Sequence, residues 1–224
     1  MEKLSLVDYD DNLTATLFMA GCPFRCPFCH NADLVLHPEK AEVIPFATIM
    51  DYLQKRQGVL DAVCITGGEP TLMPDLEEKI RAIRALGYKI KLDSNGFRPT
   101  VLRDLIGKGL LDYVAMDIKN SPEKYSLTAG VEVDISAIEE SVSLLMNSGI
   151  AYEFRTTSVQ EFHDYSDFVK IGKWIAGANR YFIQHYVDSE YCIQRHFHEL
   201  SPQKAQECLK IVQEYVPSAQ LRGY

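Results

Sequence analysis

The sequence is short of several things that would assign it to a class at once. It has no basic surplus: 23 Lys and Arg stand against 31 Asp and Glu, a formal charge of -8. No stretch of it is a basic patch, which argues against a nucleic-acid binder. It has no apolar run near the ~20 residues needed to span a bilayer. Its opening residues, MEKLSLVDYDDNL, are acidic where a secretory leader would be apolar. It has no low-complexity segment and no linker rich in Pro, Gly or Ser. Its six cysteines include no second close pair at zinc-finger spacing. These absences predict one domain over residues 1–224, cytosolic, with its thiols kept reduced and with a small molecule or another protein as its target.

What the chain does have is ordinary core material, 46% hydrophobic residues, arranged in alternation. Short apolar runs at 14–19, 62–66, 89–93, 113–117, 152–157 and 181–186 predict strands. Amphipathic patterns at 46–57, 75–87, 99–108, 137–148, 163–177 and 201–215 predict helices between and after them. Strand and helix in turn imply parallel β/α units. An eight-fold barrel takes ~250 residues, so the predicted fold is α/β, an open (β/α)6 partial barrel with parallel strands. In such folds ligands bind at the carboxyl ends of the strands. The unusual residues gather there: a cysteine loop after the first predicted strand, then TGGEP, LDSNG, MDIK, FRTT and IQHY after the next five.

The cysteine loop, MAGCPFRCPFCHN, places Cys22, Cys26 and Cys29 in the spacing Cys-x3-Cys-x2-Cys. Four chemistries compete for it. A thioredoxin-like dithiol would use Cys26 and Cys29 and leave Cys22 idle. CPFCH matches a c-type haem attachment motif, which calls for export. A structural zinc needs a fourth ligand, His30 or a distant cysteine, but Cys29 and His30 are adjacent and awkward for one ion. Cys64 and Cys208 fall at core positions, and Cys192 has His196 and His198 close by in sequence. An iron–sulfur cubane with three thiolates and one open iron explains the count.

That spacing, at the top of the first strand of a six-fold β/α barrel and with Phe28 before the last cysteine, resembles the radical S-adenosylmethionine (SAM) superfamily. The resemblance implies a [4Fe–4S] cluster on Cys22, Cys26 and Cys29, the catalytic and metal-holding cysteines, with SAM on the open iron. GGEP resembles the superfamily element that meets the methionine ammonium, which implicates Gly67, Gly68 and Glu69. GCPFRCPFCHN, including His30, resembles the loops of activating enzymes for glycyl radical enzymes. The lead-in SLVDYDDNLTATLFMAGC resembles the activators of anaerobic ribonucleotide reductase, except that Asp10 and Asp11 follow Tyr9. KLDSNG and MDIK resemble the pyruvate formate-lyase activating enzyme. By that match Asn95, Asp117 and Lys119 line the cosubstrate, and Asp93 with Asp117 holds a monovalent cation. Arg155 is expected at the SAM carboxylate or ribose, with Glu153 as its structural partner, and His185 is placed beside SAM.

The function so implied is an activase that receives an electron from flavodoxin or ferredoxin, cleaves SAM reductively and leaves a glycyl radical on a partner enzyme. The alternatives are a small-molecule radical SAM enzyme resembling 7-carboxy-7-deazaguanine synthase and a zinc-stabilised binding module. The last residues, LRGY, are similar to the radical-bearing loop of partner enzymes, and predict a tail lying in the open barrel.

Overall fold

The computed structural model describes residues 1–224. It contains eight strands: β1 (Glu2–Ser5), β2 (Thr14–Met19), β3 (Ala62–Gly67), β4 (Lys89–Ser94), β5 (Tyr113–Asp117), β6 (Ala151–Ser158), β7 (Tyr181–His185) and β8 (Gln220–Arg222). It contains eight α-helices: α1 (Ala32–Leu36), α2 (Phe46–Lys55), α3 (Leu76–Ala85), α4 (Pro99–Gly107), α5 (Tyr125–Ala129), α6 (Ile135–Asn147), α7 (Tyr165–Trp174) and α8 (Pro202–Gln213). One sheet holds all the strands in chain order. β1 is antiparallel to β2, every other neighbouring pair is parallel, and nothing joins β8 to β1. No helix is long and apolar enough to cross a membrane.

The six expected strands form within a residue of their predicted ends, and the six longer helices lie on their predicted spans. The ends of those helices follow capping chemistry. Asp164 accepts from the amides of Ser166 and Asp167 while Asp167 reaches back to the Asp164 amide, a capping box that starts α7. Ser201 caps α8, whose first residue is Pro202, a residue suited to that position. Four elements were not expected: β1, β8, α1 and α5. Each spans five residues or fewer, too short for a periodic pattern to emerge from sequence.

Alternation along the middle strands separates two environments. Ile90, Leu92, Val114, Met116, Tyr152 and Phe154 join the apolar core with the helices. Between them in sequence, Lys91, Asp93, Asp117, Glu153 and Arg155 pair with one another and with their neighbours on the other face. Adjacent strands lie ~4.8 Å apart, so a flat sheet would keep β4 and β6 well separated. Arg155 on β6 nonetheless reaches Asp93 on β4 at 3.2 Å, and Arg222 on β8 grips Glu153 on β6 at 2.8 and 3.1 Å. The sheet is therefore curled, with its concave face polar.

Candidate active site

The three cysteines line one cavity of about 170 Å³ at the carboxyl ends of β2 to β6. Their loop is held on every side. Gly21 N donates to Leu34 O at 2.8 Å and Arg25 N to Ala129 O at 2.8 Å. From the segment after β7, Ile193 N donates to Cys29 O at 3.1 Å and Gln194 N to Pro27 O at 2.7 Å. Phe28 packs on Phe162 and Tyr186, and Phe24 on Phe97 and Tyr125. The Arg25 guanidinium donates to the carbonyls of Cys22 and Phe24. The thiols are free. Burial pushes Cys22 up to about 11, against the Phe24 amide, and Cys26 up to about 12, against Lys119. A metal must displace their protons to bind.

The donor set fits an iron–sulfur cluster better than a single ion. No three His, Cys, Asp or Glu side chains converge as one metal ion requires. His30, the fourth ligand a zinc site would need, has its Nε2 committed to the Val187 carbonyl at 2.6 Å. Three thiols around one cavity, each free to take its own iron, match a cubane with one iron left open. Two N–H donors already face Cys22 Sγ, the Phe24 amide at 3.4 Å and Asn95 Nδ2 at 3.7 Å. Both would stabilise a ligated thiolate.

Gly67 and Gly68 also line the cavity, but the structure gives them a further reason. A Cβ on Gly68 would stand 2.0 Å from Gly21 O, and Gly67 has φ of 111° with its Cβ position 2.4 Å from Met19 N. The turn after β3 is packed backbone to backbone against the root of the cysteine loop, where only glycine fits. Glu69 departs from expectation. It is fully buried and outside the cavity lining. Its Oε1 accepts from Thr71 N, Thr71 Oγ1 and Ser94 Oγ, and its Oε2 from Asn95 N at 2.7 Å. Burial raises its pKa, against those hydrogen bonds. Its carboxylate braces the turns after β3 and β4, and through them presents Asn95 to the cavity.

The opposite wall is ionic. Lys119 Nζ lies 2.9 Å from Asp117 Oδ2, Arg155 Nε 2.9 Å from Asp117 Oδ1, and Arg155 Nη1 3.2 Å from Asp93 Oδ2. Lys91 and the Thr66 hydroxyl complete the shell of Asp93. Burial alone would raise the Asp117 carboxyl, but Arg155 and Lys119 hold it well below the usual range. Asp93 is lowered in the same way, against burial, by Arg155 and Lys91. Burial would lower Lys119, and Asp117 raises it instead. Arg155 stands between Asp93 and Asp117, the pair expected to hold a monovalent cation. Two cations, Lys119 and Arg155, line the cavity with two carboxylates, and Lys91 backs Asp93 from outside the lining.

His185 lies outside the cavity lining. Register pairs Phe182 with Arg155 and Gln184 with Thr157, so Phe182 and Gln184 share the parity of the concave face and His185 takes the other. It pairs with Glu199 at 3.2 Å and stacks edge-on against Tyr224 at 4.9 Å between centroids. The LRGY tail likewise stays out of the cavity. Its Arg222 belongs to β8, and Tyr224 folds over the rim to Ser158 and His185. Sequence reasoning passed over Asn31, Thr66, Ser94 and Thr157, all in the lining. Asn31 ties the cysteine loop to β3 through Gly67 O at 2.9 Å. Only strand parity could have found Thr66 and Thr157.

Comparison with known proteins agrees with this arrangement. The sequence profile of the Radical SAM superfamily matches residues 16–174. A Methanocaldococcus jannaschii protein, provisionally named a glycyl-radical enzyme activating enzyme, is 31% identical over 98% of this chain and 92% of its own length. A Thermococcus kodakarensis protein named a probable GTP 3',8-cyclase is 31% identical over 55% of this chain, and the match spans 41% of that protein. Among solved structures, Streptococcus suis SuiB bound to S-adenosylmethionine superposes with a TM-score of 0.75 at 13% identity. That match covers 94% of this chain and 50% of SuiB.

Proposed function

This chain is an enzyme that belongs to the radical SAM superfamily, and from that premise we propose that it activates a glycyl radical enzyme. The observation that carries the reading is the cavity itself: three free thiols with no fourth protein ligand, facing an ionic wall of Lys119, Arg155, Asp93 and Asp117. When bound, a [4Fe–4S] cluster on Cys22, Cys26 and Cys29 would supply the single electron that cleaves SAM to methionine and a 5′-deoxyadenosyl radical. That radical would take hydrogen from a glycine Cα of the partner, giving 5′-deoxyadenosine and a glycyl radical.

The chain's own residues have the following parts. The braced loop, with Phe28 and His30 packed on Tyr186, holds the thiols in place. Asn95 and the Phe24 amide donate to Cys22. Gly67 and Gly68 form the floor, and Glu69 supports Asn95 from behind. Lys119 and Arg155 offer their N–H donors to the SAM carboxylate. Arg155 replaces a monovalent cation as the counter-charge of Asp93 and Asp117, so exchanging sodium for potassium leaves the rate unchanged. Anaerobic ribonucleotide reductase is the proposed partner on the strength of the residues leading into the cysteine loop, with flavodoxin or ferredoxin as the proposed donor; the near full-length relative supports activation of a glycyl radical enzyme.

The test is low-temperature EPR on anaerobically reconstituted, reduced protein, before and after adding SAM and then a candidate partner. A cluster signal that changes with SAM, followed by a glycyl radical doublet on the partner, is the expected result. A cluster signal indifferent to SAM overturns the reading. The cyclase match favours a second reading, turnover of a small heterocycle, but it reaches only 55% of this chain. Cleavage of SAM coupled to a free pterin or nucleotide, with no radical on any protein, would select it.

A further inference from the structure

One buried histidine beside the cavity has no part in the reading above, and no sequence motif marks it. His163 closes the turn that follows β6 and is almost inaccessible to solvent. Its Nε2 lies 3.0 Å from the Lys119 carbonyl oxygen, and its Nδ1 lies 3.1 Å from both the amide nitrogen and the carbonyl oxygen of Val159. A carbonyl only accepts, so Nε2 must carry hydrogen and donate it to Lys119. At Nδ1 the geometry serves either a lone pair that accepts from the Val159 N–H or a second N–H that donates to the Val159 carbonyl. Burial pushes the ring below the usual histidine range, against its hydrogen bonds to the Lys119 and Val159 backbone.

The surroundings give this bond a purpose. The residues after β5 are fastened to β6, its following turn and α7: Ile118 N donates to Arg155 O at 2.8 Å, Asn120 Nδ2 to Phe162 O at 2.9 Å, and Ser121 Oγ to Asp167 Oδ1 at 3.1 Å. Of these fastenings, only that of His163 is made to Lys119. Its neighbour Phe162 packs against Phe28 of the cysteine loop, 5.7 Å between ring centroids. One turn therefore touches both halves of the site, the thiols through Phe162 and the ammonium through His163.

We propose that His163 is a positioning residue for the cosubstrate: by holding the Lys119 carbonyl it sets where the Lys119 ammonium stands relative to the cysteine loop. This sets the affinity for the carboxylate of SAM, and it rests on the reading that Lys119 lines the SAM site. The experiment compares Lys119→Met, His163→Phe and His163→Gln in reconstituted enzyme. It measures the SAM dissociation constant by titration, KM and kcat separately, iron content and Tm. His163→Phe is expected to weaken SAM binding about three- to ten-fold, the worth of one neutral hydrogen bond, with kcat and iron content unchanged. His163→Gln, whose amide reaches the Nε2 position, is expected to recover most of the affinity.

Weakened binding in Lys119→Met with wild-type binding in His163→Phe overturns the inference alone. Unchanged binding in Lys119→Met overturns the reading of the site, and the inference with it. A His163→Phe that loses Tm and iron while its folded fraction binds SAM normally also overturns it, because the role is then only structural. Should His163→Phe not fold, His163→Asn serves against His163→Gln. Asn reaches only the Nδ1 position, so equal affinity in the two variants overturns the proposal.

Discussion

The two faces of β4, β5 and β6 are built from alternate residues of the same strands, yet they obey different physics. The outer face, Ile90, Leu92, Val114, Met116, Tyr152 and Phe154, is apolar and fully or almost fully buried against helices. The inner face, Lys91, Asp93, Asp117, Glu153 and Arg155, is also mostly sealed from water but charged. Burial stabilises the first directly through the hydrophobic effect. On the second it is a cost, met only because each charge has a partner at hydrogen-bond distance. Stability is concentrated on one face and chemistry on the other, and the contrast can be tested residue by residue.

The largest effect is expected at the junction of the inner face with the cysteine loop. Cys26→Ala should abolish cluster assembly and SAM cleavage while leaving the fold intact, because the loop is held by backbone bonds that do not involve the thiol. Iron analysis and circular dichroism check the two halves of that statement. Retained iron with a SAM-responsive EPR signal would break the assignment.

Next in size is Arg155→Met, which breaks two buried ion pairs at once, leaving Asp93 with Lys91 and Asp117 with Lys119, and should cost about 3–5 kcal/mol at neutral pH. Its pH dependence carries the sharper information. In the native protein both carboxyls titrate below their unfolded values. Their contribution is therefore complete above the unfolded pKa of ~3.9 and is lost only as pH falls through the lower folded values. Without Arg155, Lys91 still lowers Asp93 and Lys119 still lowers Asp117, so both carboxyls stay depressed, but by less. The deficit of the variant should hold from pH 7 to about 4 and shrink below it, as the native protein loses the larger contribution. Denaturant unfolding on both sides of that boundary reads it, and a deficit that stays constant with pH would mean that Arg155 acts through packing.

On the outer face, Leu92→Ala should cost about 2–5 kcal/mol through lost burial and a residual cavity. The EPR response to SAM should persist in the protein that remains folded. A variant that kept its stability but lost that response would contradict the division of labour between the faces. The smallest effect is expected far from both: Ser201→Ala removes the cap of α8 and should cost about 1 kcal/mol, with no change in iron content or SAM binding.

Much of this molecule was legible in its sequence, for reasons that are local. The Cys-x3-Cys-x2-Cys spacing places three thiols in one loop whatever the rest of the chain does. The six long strand–helix units follow from periodicity, and the lysine of MDIK falls on the same side as its aspartate because two residues separate them. What escaped was short or depended on register. β1 and β8 were too brief to carry a pattern. His185 sits one residue from the parity that faces the cavity, and that parity is set by pairing between β6 and β7.

By itself, then, the sequence determined the parallel α/β order, the alternation along each strand, and the chemical type of the metal-binding loop, since all three depend on residues a few positions apart. Only the tertiary structure decided that Glu69 would brace from behind, that Arg155 would stand between Asp93 and Asp117, and that His163 would hold Lys119. Each of those contacts joins segments separated by about 25 to 60 residues, and each exists because the parallel sheet sets the carboxyl ends of neighbouring and next-but-one strands around one desolvated space.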